Sequence, residues 1–198
     1  MKNLLLLGQG AAIGIGVGAA VLVVIVIVLA VWISLRNKLM RLKNQSEEAW
    51  ATIDVQLKKR YDLIPNLVET VKGYTKHESG TLEAVIQARN AAIAAPTPNE
   101  KIEAEQALAG TLKSLFMLQE AYPDLKANQN FLDLQRQLKS IEEEIASARK
   151  YYNAVVREFN TALVVFPSNI IARGMHLEKQ KYFELDSEEE RKNVQVKF

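Results

Sequence analysis

From Asn3 to Leu35 the chain carries no charged residue, and Val21 to Val31 is a run of Val, Ile, Leu and Ala. A bilayer core of about 30 Å takes roughly 20 apolar residues to cross as a helix. The run therefore predicts one transmembrane helix over residues 13–35, with Trp32 at an interface. A cleaved signal peptide is the competing reading. It fits less well, because only Lys2 precedes the run, the run is long, and no small-x-small cleavage pattern follows it. Arg36, Lys38, Arg41 and Lys43 crowd the C-terminal flank, which predicts a single-pass cell-membrane protein with a cytoplasmic soluble part. These cations are equally a stop-transfer flank or an attraction to anionic lipid. Gly10, Gly14 and Gly18 repeat at a spacing of four, a face on which two spanning helices can approach closely.

The chain has 198 residues and no cysteine, enough for one ordinary core that relies on no disulfide or thiolate metal site. Its 25 Lys and Arg nearly balance 23 Asp and Glu, so no overall field draws in nucleic acid, and none is expected as a partner. Gly, Pro and aromatic residues are sparse while Ala, Leu, Glu, Lys and Gln abound, the composition of long helices.

Beyond the span, Trp50, Ile53, Leu57, Tyr61, Ile64, Val68, Val71 and Tyr74 step by three and four, one buried stripe of a helix continuing from the membrane. Pro65 removes a donor and crowds the Tyr61 carbonyl, predicting a kink over residues 61–66. A break at Ser79 and Gly80 precedes a shorter helix through Leu82, Val85, Ile86, Arg89 and Ile93, ending at Pro96. Thr97, Pro98 and Glu100 form a capping box with proline at the first position. The next helix uses Leu108, Leu112, Leu115, Leu118 and Tyr122 and stops at Pro123, with Asp124 capping the last helix. That last helix carries Phe131, Leu134, Leu138, Ile141, Ile145, Ala148, Tyr152, Val155, Phe159, Ala162 and Phe166 on one stripe before Pro167. A turn or short helix follows over Ser168 to Arg173.

The expected fold is all-α: one N-terminal transmembrane helix, then an elongated antiparallel bundle of about four helices. The boundaries are a glycine-rich tail over 1–12, the span over 13–35, the bundle over 36–185 and a charged tail over 186–198. Val194, Val196 and Phe198 alternate with polar residues, a pattern that allows a short extended tail against the bundle.

No catalytic motif is found. Neither His77 nor His176 has a glutamate three residues before it, and the phosphate-loop, dinucleotide and nucleophile-elbow patterns are missing. No cofactor, metal or enzymatic activity is expected. Polar residues set into apolar stripes do stand out: Arg60, Asp62 and Asn66 beside Pro65, then Lys72, Tyr74, His77 and Glu78, and later Arg149, Tyr152, Asn153 and Asn160. They read as an intramolecular network that sets helix register, or as a surface where Asp62 and Asn66 meet a partner. Arg89 and Asn90 read as solvated or capping, and His77 beside Glu78 as a pair able to titrate near neutrality.

Glu48-Ala49-Trp50, Ile53-Asp54-Val55-Gln56-Leu57 and the run Lys59 to Val68 resemble the LemA family. The likeness continues through Val71-Lys72-Gly73-Tyr74, His77-Glu78, Ala88-Arg89, Tyr122 to Ala127, Phe131-Leu132, Tyr152-Asn153, Asn160, Phe166 to Ala172 and Tyr182-Phe183. It covers nearly all of the soluble part. The resemblance implies one N-terminal span and a helical bundle, with a membrane-associated scaffold or shaping role, since a relative is needed to form magnetosome membranes. It implies no catalytic residues. The glycine-rich stretch from Gly8 to Gly18 departs from the family's shorter or more polar amino terminus.

Three functions follow for testing: a self-assembling scaffold in contact with membrane lipid, an adaptor whose kinked helix recruits a protease or signalling partner, and an enzyme using His77 and Glu78.

Overall fold

The computed structural model describes the backbone of residues 2–75 and 77–183, and the packing of residues 16, 18, 20–75 and 77–183. The order is α1 (Lys2–Lys72), α2 (Ser79–Ala94), α3 (Pro98–Met117), a 3-10 turn (Leu118–Glu120), α4 (Pro123–Ala127), α5 (Gln129–Ala162) and α6 (Ser168–Gly174). No strand occurs among the described residues. The protein is all-α, and α1 is long and apolar enough near the N-terminus to cross a membrane.

The chain divides into two compact units, Met1–Asn44 with Glu158–Lys179, and Gln45–Arg157 with Gln180–Phe198. The larger is built on the expected stripe of α1, where Ile53, Leu57, Tyr61, Ile64, Leu67, Val68 and Val71 are buried against Leu82 and Val85 of α2, Leu108 and Leu115 of α3, and Phe131, Ile145 and Val156 of α5. Tyr74, expected on that stripe, is exposed. Cross-helix pairs give the directions. Asp54 meets Lys101 and Arg60 meets Glu105, so α1 and α3 run parallel; Trp50 meets Tyr152 and Lys59 meets Glu144, so α1 and α5 run antiparallel.

Several local expectations are corrected. Helix α1 ends at Lys72 and α2 already starts at Ser79, with Gly80 inside it, because α1 winds down earlier: the Tyr74 N–H turns to the Val71 carbonyl and the Thr75 hydroxyl caps the same oxygen. On α2 the buried face is Leu82, Val85 and Ala92, leaving Ile86 and Ile93 exposed. Pro123 opens α4 rather than ending α3. Asn128, not Asp124, caps α5, its Oδ1 accepting from the Phe131 N–H at 2.8 Å. Helix α5 has 34 residues and stops at Ala162, with Phe166 exposed beyond it. The residue before a proline is disfavoured in helical geometry, and the Val164 and Val165 N–H groups both fold back on the Thr161 carbonyl. The Thr97 cap on Glu100 N–H and the Pro98 start are as expected.

In the smaller unit Leu39 and Leu42 of α1 pack with Phe159 and Leu163 at the end of α5 and with Ile171 and Ala172 of α6. Helix α6 ends in a Schellman motif: Leu177 N–H bonds Ala172 carbonyl and His176 N–H bonds Arg173 carbonyl. His176 takes the left-handed position, at φ 51°.

Candidate functional site

The most unusual chemistry in the larger unit is a charge cluster inside an apolar interface. Arg60 lies on the buried face of α1, between Leu57 and Ile64, and its side chain is 5% exposed; Glu105 lies on the buried face of α3, between Ile102 and Leu108, and is 1% exposed. Their charges pair directly, and Tyr61 donates its hydroxyl to Glu105. Arg60 also reaches Glu142 of α5 at 2.9 Å. One guanidinium thus ties three helices together in one register.

Burial shapes the titration of this cluster. It lowers Arg60 from the ordinary arginine value, against the opposing charge of Glu142. It pushes the Tyr61 hydroxyl up to about 12, against the pull of Arg60. At neutral pH Tyr61 is a neutral donor to Glu105. Arg60 Nε finds no hydrogen-bond acceptor. An isolated charge in such a place costs several kcal/mol, and pairing offsets that cost only when geometry and further hydrogen bonds are good.

A second polar constellation holds the chain beyond α6. Asn153 donates Nδ2 to the Phe183 carbonyl at 3.1 Å and accepts the Phe183 N–H on Oδ1 at 2.8 Å, a side chain imitating a strand partner. Tyr152 donates to the Lys181 carbonyl at 3.1 Å, and Lys181 pairs with Glu103 of α3 at 2.9 Å. The Phe183 ring lies buried against Trp50, under the Arg149 guanidinium. Burial raises the Tyr152 hydroxyl. The alternating tail considered over 194–198 lies outside the described residues.

Beside the charge cluster α3 and α5 leave a groove of about 480 Å³, which Arg60 and Glu142 also line. Its apolar lining includes Leu112, Phe116 and Leu138, with Lys113, Arg136 and Lys139 beside them.

The polar residues singled out in the sequence do not form one site. Arg60 is in the charge cluster, and Tyr152 and Asn153 hold residues 181–183. Asp62 is exposed and pairs with Lys58 at 3.1 Å. Pro65, Asn66 and His77 are exposed; Tyr74, also exposed, accepts from Asn128 at 2.7 Å. Asn160 is buried in the smaller unit. Gly18 is exposed with open space around it, while Gly10 and Gly14 lie outside the residues whose packing is described. Arg89 is neither solvated nor a cap: its Nε donates to the Tyr61 carbonyl at 2.7 Å. Glu105 and Glu142 were not anticipated. Glu105 had a legible signal, since it falls on the spacing Ile102, Leu108, Leu112, Leu115 that marks the buried face of α3. Among the described residues no group of three His, Asp or Glu is arranged to hold a metal ion.

Residues 49–198, which contain both polar constellations, match the family model for the LemA family. The chain belongs to the LemA family. Protein LemA of Metamycoplasma hominis is 29% identical over 168 residues, covering 83% of this chain and 75% of that relative. The LemA-family match begins at Ala49, beyond the apolar run.

Proposed function

We propose that this LemA-family protein is a membrane-anchored helical scaffold that self-associates and organises or remodels the membrane holding it. The observation that carries the reading is the uncovered apolar face of α1: large hydrophobic residues from Val21 to Ile33 are exposed, from 47% at Trp32 to 62% at Leu22. Such a length of uncovered Val, Ile and Leu is stable only in hydrocarbon or against another copy. The buried Arg60 cluster supports a structural role, since Arg60 pairs with Glu105 and Glu142 and so joins three helices in one register.

The test is electron microscopy of the full-length protein in liposomes, beside a variant with Gly10→Leu, Gly14→Leu and Gly18→Leu. Ordered assemblies or deformed vesicles for the native chain, reduced in the variant, are expected. Dispersed single copies on smooth vesicles for both would remove the scaffold reading.

The α3–α5 groove favours a second reading, an adaptor that takes an acidic, apolar segment of a membrane protease or signalling protein. Affinity capture with Lys113→Glu and Lys139→Glu separates the two: loss of one partner with assembly intact favours the adaptor.

A further inference from the structure

We propose that the turn joining α5 to α6, residues 164–170, is a second membrane contact: an apolar wedge that dips into the headgroup and upper acyl region of the leaflet where α1 emerges. The proposal rests on the apolar run of α1 crossing that membrane.

All of its parts belong to the smaller unit. Leu35, the last residue of the apolar run, packs with the cluster formed by Leu39, Leu42, Phe159, Leu163 and Ile171. The end of α5 and the start of α6 are therefore held beside the turns of α1 that directly follow the run. Between Leu163 and Ile171, Ser168 is buried, while the large apolar side chains are uncovered. Val164 is 55% exposed, Val165 50%, Phe166 75% and Ile170 63%. Four large apolar residues in seven, uncovered and beside the end of a spanning segment, make a patch that water disfavours and a bilayer interface accepts.

Part of the turn's backbone is already hydrogen-bonded within the protein, as a medium poor in partners favours. The Val164 and Val165 N–H groups bond the Thr161 carbonyl, the Asn169 N–H bonds the Val165 carbonyl, and Pro167 has no N–H to satisfy. The Ser168 hydroxyl is within 2.7 Å of the Ala162 carbonyl and 2.9 Å of the Val165 carbonyl.

Charge selects the same occupant. No acidic residue occurs from Phe159 to Leu177, while Arg173 follows the turn on α6 and Arg36, Lys38 and Arg41 alternate with Leu35, Leu39 and Leu42 along α1. The Arg36 guanidinium lies 5.8 Å from the Trp32 ring centre, a cation and an aromatic suited to the headgroup level. An apolar tip in a stretch without acidic residues, in a unit with cations just past the span, fits an anionic lipid surface.

The experiment uses full-length protein in vesicles of phosphatidylcholine and phosphatidylglycerol, with bromine on shallow acyl carbons as a contact quencher. One variant carries Trp32→Phe, Trp50→Phe and Phe166→Trp; its companion carries only Trp50→Phe and so reports Trp32. Retained helical circular dichroism establishes folding of each. The expected result is strong bromolipid quenching of the position-166 indole, with aqueous iodide quenching it several-fold less than in detergent-free unfolded chain. Quenching of Trp32 without quenching at 166 overturns the wedge and leaves the span intact. Quenching at neither position overturns the span itself. An indole at 166 shielded from both bromolipid and iodide overturns the lipid contact in favour of a second copy of the chain.

Discussion

Arg89 donates its Nε proton to the carbonyl oxygen of Tyr61 at 2.7 Å, the acceptor that Pro65 leaves without its helical donor. A proline at position i removes the N–H that would bond the carbonyl at i−4. Here α2 supplies the missing donor from outside, and α1 is helical on both sides of the proline. The defect and its repair lie on different helices, so the pair also fixes how α2 sits on α1.

Arg89→Met should therefore cost about 1–3 kcal/mol, the penalty for an unpaired acceptor away from water. Most of that cost should vanish in a Pro65→Ala background, where residue 65 regains its N–H. Urea unfolding of the four variants in detergent measures the coupling. Equal cost in both backgrounds would refute the repair.

Arg60→Met alone should destabilise the protein by about 3–5 kcal/mol, because Glu105 is left buried without its cation. Combining it with Glu105→Leu should recover most of the loss, since two apolar side chains fit the surrounding core. Thermal unfolding of the single and double variants decides this. A double variant no more stable than Arg60→Met alone would mean that the pair stabilises the fold outright, and a loss equal to the sum of the two single losses would mean that the two side chains are not coupled.

Tyr61 gives the alkaline limb of stability a signature. Its hydroxyl is raised in the folded state, so the folded chain holds that proton longer than the unfolded chain. Stability from this group is complete below about pH 10, the ordinary tyrosine value, and declines as pH rises toward about 12. Relative to the native chain, Tyr61→Phe should show a shallower loss of stability over that window. Parallel curves would assign the alkaline transition to other groups.

Asn153→Ala removes both bonds to the Phe183 backbone and should cost about 1–3 kcal/mol. Residues 180–183 should then become a protease-sensitive site while helical circular dichroism is kept. Unchanged cleavage would show that Phe183 burial alone holds the segment.

His176 occupies the left-handed position of the Schellman motif, where a side chain costs about 1–2 kcal/mol and glycine is preferred. His176→Gly should stabilise the fold by about 0.5–1 kcal/mol after glycine's own entropy cost, read as a higher unfolding midpoint. A lower midpoint would reveal a contact made by the imidazole.

By itself the sequence determined what depends on spacing along the chain. The uncharged run set the candidate span, the three-and-four steps from Ile53 to Val71 set the buried face of α1, and Thr97-Pro98 set the start of α3. Each is decided within a few turns, where composition and periodicity act directly. Only the tertiary structure decided which polar residues meet. Arg60 and Glu105 are 45 positions apart, Arg89 and Tyr61 are 28, and Asn153 and Phe183 are 30. No local rule names such partners, because a buried charge or an orphaned carbonyl is satisfied by whatever donor the packing brings near. Helix ends behaved likewise: Asn128 and the turn after Ala162 were set by competing hydrogen bonds, which prolines mark only approximately. The exposed Phe166 shows the limit most plainly, since its place on the apolar stripe of α5 holds only if the helix continues, and the helix ends four residues before it.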